Sequence, residues 1–210
     1  ETILHEETLT SNVSFYYRDL ETGYTISYES DNIMYAASLV KVPYVYTMLK
    51  TVSDFEYNKV HFDAEGNPLY DEAGQPLFEG AHPNLDEEGR IVYLEGEEKY
   101  DLSRIWTFNK EEMMVEGSGV IQKMDDGTQL TYLELALYAL QHSDNIAFAE
   151  IRKMFGYTEY LSTARAMGVR GSSHGYMKLS ADDCGIFLSA IYDFTETNER
   201  YGALMKEAMI

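Results

Sequence analysis

The chain has 210 residues, 45% hydrophobic and 13% aromatic, enough apolar surface for one large domain or two small ones. Its formal net charge of −20 excludes polyanionic partners, because nucleic-acid phosphates and anionic membrane surfaces both select for clustered Lys and Arg. No apolar run reaches the roughly 18 residues of a membrane span, and the one cysteine, Cys184, lies in an apolar stretch and reads as a small buried residue.

The first residues, "ETILHEETLTSN", hold no signal peptide and read as a mature or trimmed start whose targeting segment has been removed. Residues 12–29 contain two β-rich runs, "VSFYYRDL" and "YTISYE", joined by "ETG", which predicts a hairpin. An apolar helix follows from about Ala37 to Thr51. Three units then repeat one pattern, "DAEGNPLY" (63–70), "DEAGQPLF" (71–78) and "DEEGRIVY" (86–93), each a turn signal followed by a short strand. The region from 54 to 101 is rich in acids and reads as an inserted set of small hairpins with a solvated acidic face, available for a protein or cell-wall contact.

Beyond it the helical periodicity is strong. Thr131 with Glu134 forms a capping box ahead of Leu133, Leu137 and Leu140. Further helices are expected from Asn145 to Gly156, from Thr158 to Met167, and over "ADDCGIFLSAIYDF", where Ser180 and Asp183 form a second capping box; a last helix spans about 197–209. The layout is a single domain over 1–210, strands first and then mostly helices, with the acidic β insertion at about 54–101.

Within the first helix Ser38 and Lys41 stand three residues apart, on one face. A serine hydroxyl needs a base within hydrogen-bonding reach to act as a nucleophile, and a lysine one turn away supplies one if desolvation lowers its pKa. The helix start adds backbone N–H groups and a positive dipole end for a developing oxyanion. Residues 143–145 read Ser-Asp-Asn in the turn between two apolar helices, where the Ser143 hydroxyl can pass a proton to a leaving group and the Asn145 carboxamide can hold a substrate amide.

In this order the two motifs resemble the penicillin-recognising serine hydrolases, class A β-lactamases and D-Ala-D-Ala carboxypeptidases among them. The likeness covers about residues 12–52 and 105–210, including "AASLVKVP", "EGSGVIQ", "DGTQLTYLELALYAL" and "HSDNIAFAEI". It implies an α/β (α+β) fold of an antiparallel sheet packed by helices plus an all-helical lobe, with the cleft between them. It implies Ser38 as the acylated nucleophile, Lys41 as its base, Ser143 as proton shuttle and Asn145 as substrate ligand, with Asp144 bracing the turn. No cofactor or metal is called for. The substrates implied are β-lactams or peptidoglycan stem peptides, which places the protein outside the cytoplasm, periplasmic or at the cell surface.

Two departures shape the expectation. No acid occurs between Tyr160 and Ala181, where class A enzymes carry the glutamate that activates the deacylating water, so a β-lactam adduct is expected to hydrolyse slowly. No Lys-Thr-Gly triplet of the family's third motif occurs either, and the expectation is that the sequence is a piece of a longer polypeptide whose C-terminal strands carry it. Three other readings stay open: a Ser-His-Asp triad through His142 or His174, a metal site among the five histidines, and a non-catalytic module that senses cell-wall fragments on the same fold.

Overall fold

The apolar run after Lys41 becomes the centre of the molecule. In the computed structural model, which describes residues 13–57, 67, 69–70, 84–85, 91–93, 95–113 and 115–210, helix α1 (Lys41–Tyr57) is surrounded by other helices. Tyr44, Val45, Met48, Leu49 and Val52 are fully buried, because they recur on successive turns that face the neighbouring helices. Ahead of it, the hairpin of β1 (Phe15–Arg18) and β2 (Thr25–Tyr28) pairs Tyr17 with Ile26 and Phe15 with Tyr28. Its turn is held by Asp19, whose carboxylate accepts from the Thr22 N–H at 2.7 Å and the Thr22 hydroxyl at 2.8 Å. A two-residue strand, β3 (Met34–Tyr35), then leads into a 3-10 turn over Ala37–Val40 that runs directly into α1.

The helix expected from Ala37 to Thr51 therefore starts as a 3-10 turn and continues to Tyr57, and Ser38 lies in the tighter part. The cause is local: Ala37 takes φ +47, and the Leu39 N–H bonds back to the Ala36 carbonyl in the three-residue spacing.

Of the acidic repeats, most residues lie outside the described ones. Strand β4 (Asn84–Leu85) pairs antiparallel with β5 (Ile91–Val92), a small hairpin around the third unit. The Tyr93 and Tyr100 rings stack on Phe55 near the end of α1, at 6.3 and 4.2 Å between centroids.

Strand β6 (Ile105–Thr107) pairs with β7 (Gln129–Thr131), which ends at the cap of α2 (Tyr132–Gln141). Both capping boxes form: the Thr131 hydroxyl accepts from the Glu134 N–H at 3.1 Å, and the Ser180 hydroxyl from the Asp183 N–H at 3.1 Å. Helices α3 (Asn145–Phe155), α4 (Thr158–Ala166), α5 (Ala181–Thr197) and α6 (Tyr201–Ala208) complete the helical part. α5 runs three residues past the expected Phe194, so α6 begins at Tyr201 rather than near 197, and the Asn198 carboxamide accepts the Tyr201 N–H at 2.8 Å to set the break. Among the described residues the architecture is a mixed α/β fold with six helices and small antiparallel sheets, as the sequence predicts.

Strand β8 (Lys178–Leu179) pairs with β3, so two segments far apart in sequence form one wall beside Ser38. The buried Asp183 carboxylate sets the approach to that wall. It accepts from the backbone N–H groups of Arg170 at 2.8 Å, Gly171 at 2.9 Å and Ser180 at 2.9 Å. The apolar face of the hairpin is open: Phe15, Tyr17 and Ile26 are each more than two-fifths exposed, and Phe15 and Tyr17 line a groove of about 670 Å³. Cys184 lines that groove half-buried, less enclosed than the sequence suggests.

Replacing Asp183 by Ala strands three N–H groups, two of them buried. The Asp183→Ala chain is expected to lose about 3 kcal/mol or more of stability. Urea denaturation reads this directly, and a midpoint shift worth less than about 1 kcal/mol would contradict the role given to the carboxylate.

Candidate active site

Asp144 builds the site from beneath. Fully buried, it caps α3 through Oδ1, which accepts from the N–H groups of Ile146 at 2.9 Å and Ala147 at 3.0 Å. Its Oδ2 accepts from Val120 N–H at 2.6 Å and Ile121 N–H at 2.9 Å, so one carboxylate ties the 116–121 segment to the turn between α2 and α3. The segment can come this close because two of its residues are glycines in the left-handed region. A Cβ on Gly117 (φ +116) would lie 2.3 Å from Asn145 Nδ2, and one on Gly119 (φ +132) would lie 2.2 Å from Asp144 Oδ2. Two further bonds stitch the same contact: the Ser118 hydroxyl donates to the Ser143 carbonyl at 2.6 Å, and the Asn145 N–H to the Ser118 carbonyl at 3.0 Å.

The turn so fixed presents three oxygen atoms to Lys41. Its ammonium donates to Asn145 Oδ1 at 2.6 Å, to Ser143 Oγ at 3.1 Å and to the Ser143 carbonyl. Ser143 itself takes φ +48, a conformation that costs a non-glycine residue about 1–2 kcal/mol and persists because the neighbouring bonds impose it. Asn145 Nδ2 donates to the Glu116 carbonyl at 2.9 Å, which fixes the carboxamide with its oxygen toward Lys41. Lys41 is 3% exposed, and the Phe148 ring lies 5.9 Å from its nitrogen.

Two influences oppose each other at this lysine. Burial pushes its pKa below the ordinary lysine value, and the nearby Asp144 carboxylate pulls it part of the way back. The three acceptors match the three donors of an ammonium. Of the three, the Ser143 hydroxyl can also donate, so it can follow Lys41 into the neutral state.

Ser38 is exposed, one turn from Lys41, and among the described residues its hydroxyl has no hydrogen-bond partner. Ser38, Lys41 and Asn145 line one cavity of about 280 Å³, which Tyr35, Phe148, Arg152 and Tyr176 also line. Ser143 reaches it through Lys41. Among the described residues, no Asp or Glu lines the cavity. The histidines considered for a triad lie elsewhere: His142 ends α2 with its ring 5.4 Å from Tyr138, and His174 is exposed in the 3-10 turn Gly171–His174. Arg152 and Tyr176 were not among the residues singled out from the sequence, because each resembles an ordinary polar position of a helix or loop. The glycines of "EGSGV" carried a readable signal, since two glycines bracketing a serine mark a backbone that another segment approaches closely.

A sequence model of the beta-lactamase enzyme family matches residues 2–59 and 94–210. No curated protein matches. Among solved structures, PBP-A is 17% identical over 93% of the chain and 61% of its own length, with a TM-score of 0.61, and a mutant of PBP-A was solved as its acyl-enzyme complex with penicillin-G. A beta-lactamase from Chitinophaga pinensis is 16% identical, over 96% of the chain and 65% of its own, with a TM-score of 0.62. The D-alanyl-D-alanine carboxypeptidase from Mycobacterium tuberculosis is 15% identical, over 91% and 58%, at 0.52. The chain thus spans about three-fifths of the length of these structures and shares their fold.

The close approach of Gly119 makes a prediction. Gly119→Ala combines backbone strain with a clash against Asp144, whereas Gly127→Ala (φ +82, nothing within 4 Å) carries strain alone. Thermal unfolding is expected to show a clearly larger loss for Gly119→Ala than the about 1–2 kcal/mol of Gly127→Ala. Equal losses would remove the contact from the account of the site.

Proposed function

The chain belongs to the beta-lactamase enzyme family, and from that premise we propose that it is a serine acyl-transfer enzyme acting on β-lactams or on D-Ala-D-Ala-type peptidoglycan stem peptides. One observation carries the reading. Lys41 is buried one turn from Ser38 with its nitrogen against Ser143 and Asn145, in the cavity that Ser38 lines.

The steps follow from the geometry. Ser38 Oγ attacks the substrate carbonyl while its proton moves to neutral Lys41 Nζ. The new C–O bond forms, the oxyanion develops near the backbone N–H groups of the turn that starts at Ala37, and Asn145 holds the acyl-side amide. Collapse breaks the C–N bond. The leaving nitrogen takes its proton from Ser143 Oγ, and Ser143 is reprotonated by Lys41, which closes the proton cycle. Removal of the acyl group then needs water or an acceptor amine to reverse these roles.

Among the described residues the cavity offers no carboxylate to activate that water, which supports slow hydrolysis of a β-lactam adduct. PBP-A, of the same fold, has a mutant captured as an acyl-enzyme with penicillin-G. Peptidoglycan as substrate places the protein outside the cytoplasm, in the periplasm or at the cell surface. A second reading, a cell-wall binding module without catalysis, draws on the Ser38 hydroxyl having no partner among the described residues. Catalytic hydrogen bonds are often long in free enzymes and tighten on binding, so that observation is compatible with both.

Intact-mass spectrometry separates them. Incubation with benzylpenicillin is expected to add the mass of one penicillin, the adduct is expected to persist for minutes or longer, and Ser38→Ala is expected to show none. An unmodified folded protein would favour the binding module. An adduct retained in Ser38→Ala would assign the nucleophile elsewhere.

A further inference from the structure

Helix α3 presents one stripe to the cavity. Asn145, Phe148, Ala149 and Arg152 all line it, at the i, i+3, i+4 and i+7 spacing of a single helical face. Asn145 sits at the reactive end beside Lys41, Ala149 is small and leaves room, and Arg152 stands two turns on, about 10 Å along the axis. Side chains lean toward the start of a helix, so the guanidinium reaches back along the stripe toward Asn145.

Arg152 is held in place and, among the described residues, left without a counter-charge. Its Nη1 donates to the Tyr176 hydroxyl at 2.7 Å, and its guanidinium carbon lies 5.0 Å from the Phe148 ring, 5.6 Å from Tyr157 and 5.5 Å from Tyr176. Its Nε is wholly covered and meets no acceptor among the described residues. The acids nearby serve other partners. Glu150 bonds Lys153 at 2.6 Å and the Trp106 indole N–H at 3.2 Å, and Glu159 pairs with Lys99. In a chain with 36 acids against 16 Lys and Arg, a rigid guanidinium on a cavity wall that meets no carboxylate among the described residues is conspicuous. Ring contacts hold such a cation in place, but a planar fork of donors is matched by a carboxylate.

We propose that Arg152 is a specificity residue that binds a carboxylate on the acyl side of the substrate, so the site prefers anionic acyl donors over neutral ones. This rests on the reading of Ser38 as the nucleophile in the same cavity. The anion lies beyond the amide held by Asn145 and away from the bond that breaks, so Arg152 selects the substrate and takes no part in the proton transfers. A peptide acyl donor with an acidic side chain meets this description, and so does a penicillin with a carboxylate on its side chain.

The test compares benzylpenicillin with α-carboxybenzylpenicillin, which differ by that one carboxylate. Acylation rates come from intact mass, and equilibrium binding to Ser38→Ala comes from calorimetry. The protein is expected to favour the carboxylated compound by about tenfold or more in both. In Arg152→Gln the ratio is expected to fall to about one, and Arg152→Lys is expected to keep part of it. A merely structural Arg152 would slow both compounds together and leave their ratio unchanged, which overturns the proposal, as does a ratio of one in the protein itself. If neither compound acylates the protein while Ser38→Ala still binds the carboxylated one preferentially, the nucleophile reading fails and the anion site stands.

Discussion

The site depends on one buried carboxylate. Asp144 accepts four backbone N–H groups, two from the start of α3 and two from the 116–121 segment. Hydrogen bonds to a charged acceptor out of water are among the stronger ones available to a chain. They set the path of the turn, and the turn sets where the Ser143 and Asn145 side chains stand. With the bonds of Ser118 and Lys41 to Ser143, they hold that residue in its left-handed conformation.

That clamp also sets the electrostatics of Lys41. A lysine buried beside the Phe148 ring pays for desolvation, and a lowered pKa is the consequence. Asp144 offsets part of the shift, and the three oxygen acceptors let the charged form survive inside the fold. Between the lowered pKa and the ordinary value the unfolded chain binds the proton and the folded chain does not, so stability from this group rises with pH across that window and falls as pH drops. For the proposed chemistry the useful outcome is a base that is neutral nearer physiological pH than an exposed lysine would be.

Much of this was legible in the sequence, for reasons that differ by element. The hairpin, the capped helices and the Ser38–Lys41 spacing follow from local patterns, and local patterns survive folding when tertiary contacts reinforce them. The role of Asp144 as a brace was also readable, as the middle residue of a turn that must cap a helix. Its bonds to Val120 and Ile121 were not, because nothing local couples positions more than twenty residues apart. The pairings of β3 with β8 and β6 with β7 were missed for the same reason, with strands of two or three residues too short to show a period of two. The 3-10 start under Ser38 depends on the positive φ of Ala37, which alanine gives no reason to expect. Arg152 reads as a basic residue in the last turn of a helix, a favourable position in any protein, and only the cavity shows that it meets no carboxylate among the described residues.

The most direct measurement is a site-resolved NMR titration of the lysine side chains, with the Lys41 signal assigned by its loss in Lys41→Arg. Lys41 is expected to titrate below the ordinary value of about 10.4 and below Lys99 and Lys206, whose bonds to Glu159 and Glu196 hold them up. A Lys41 that titrates at or above the ordinary value would mean that its three acceptors outweigh burial, and would remove it as the base.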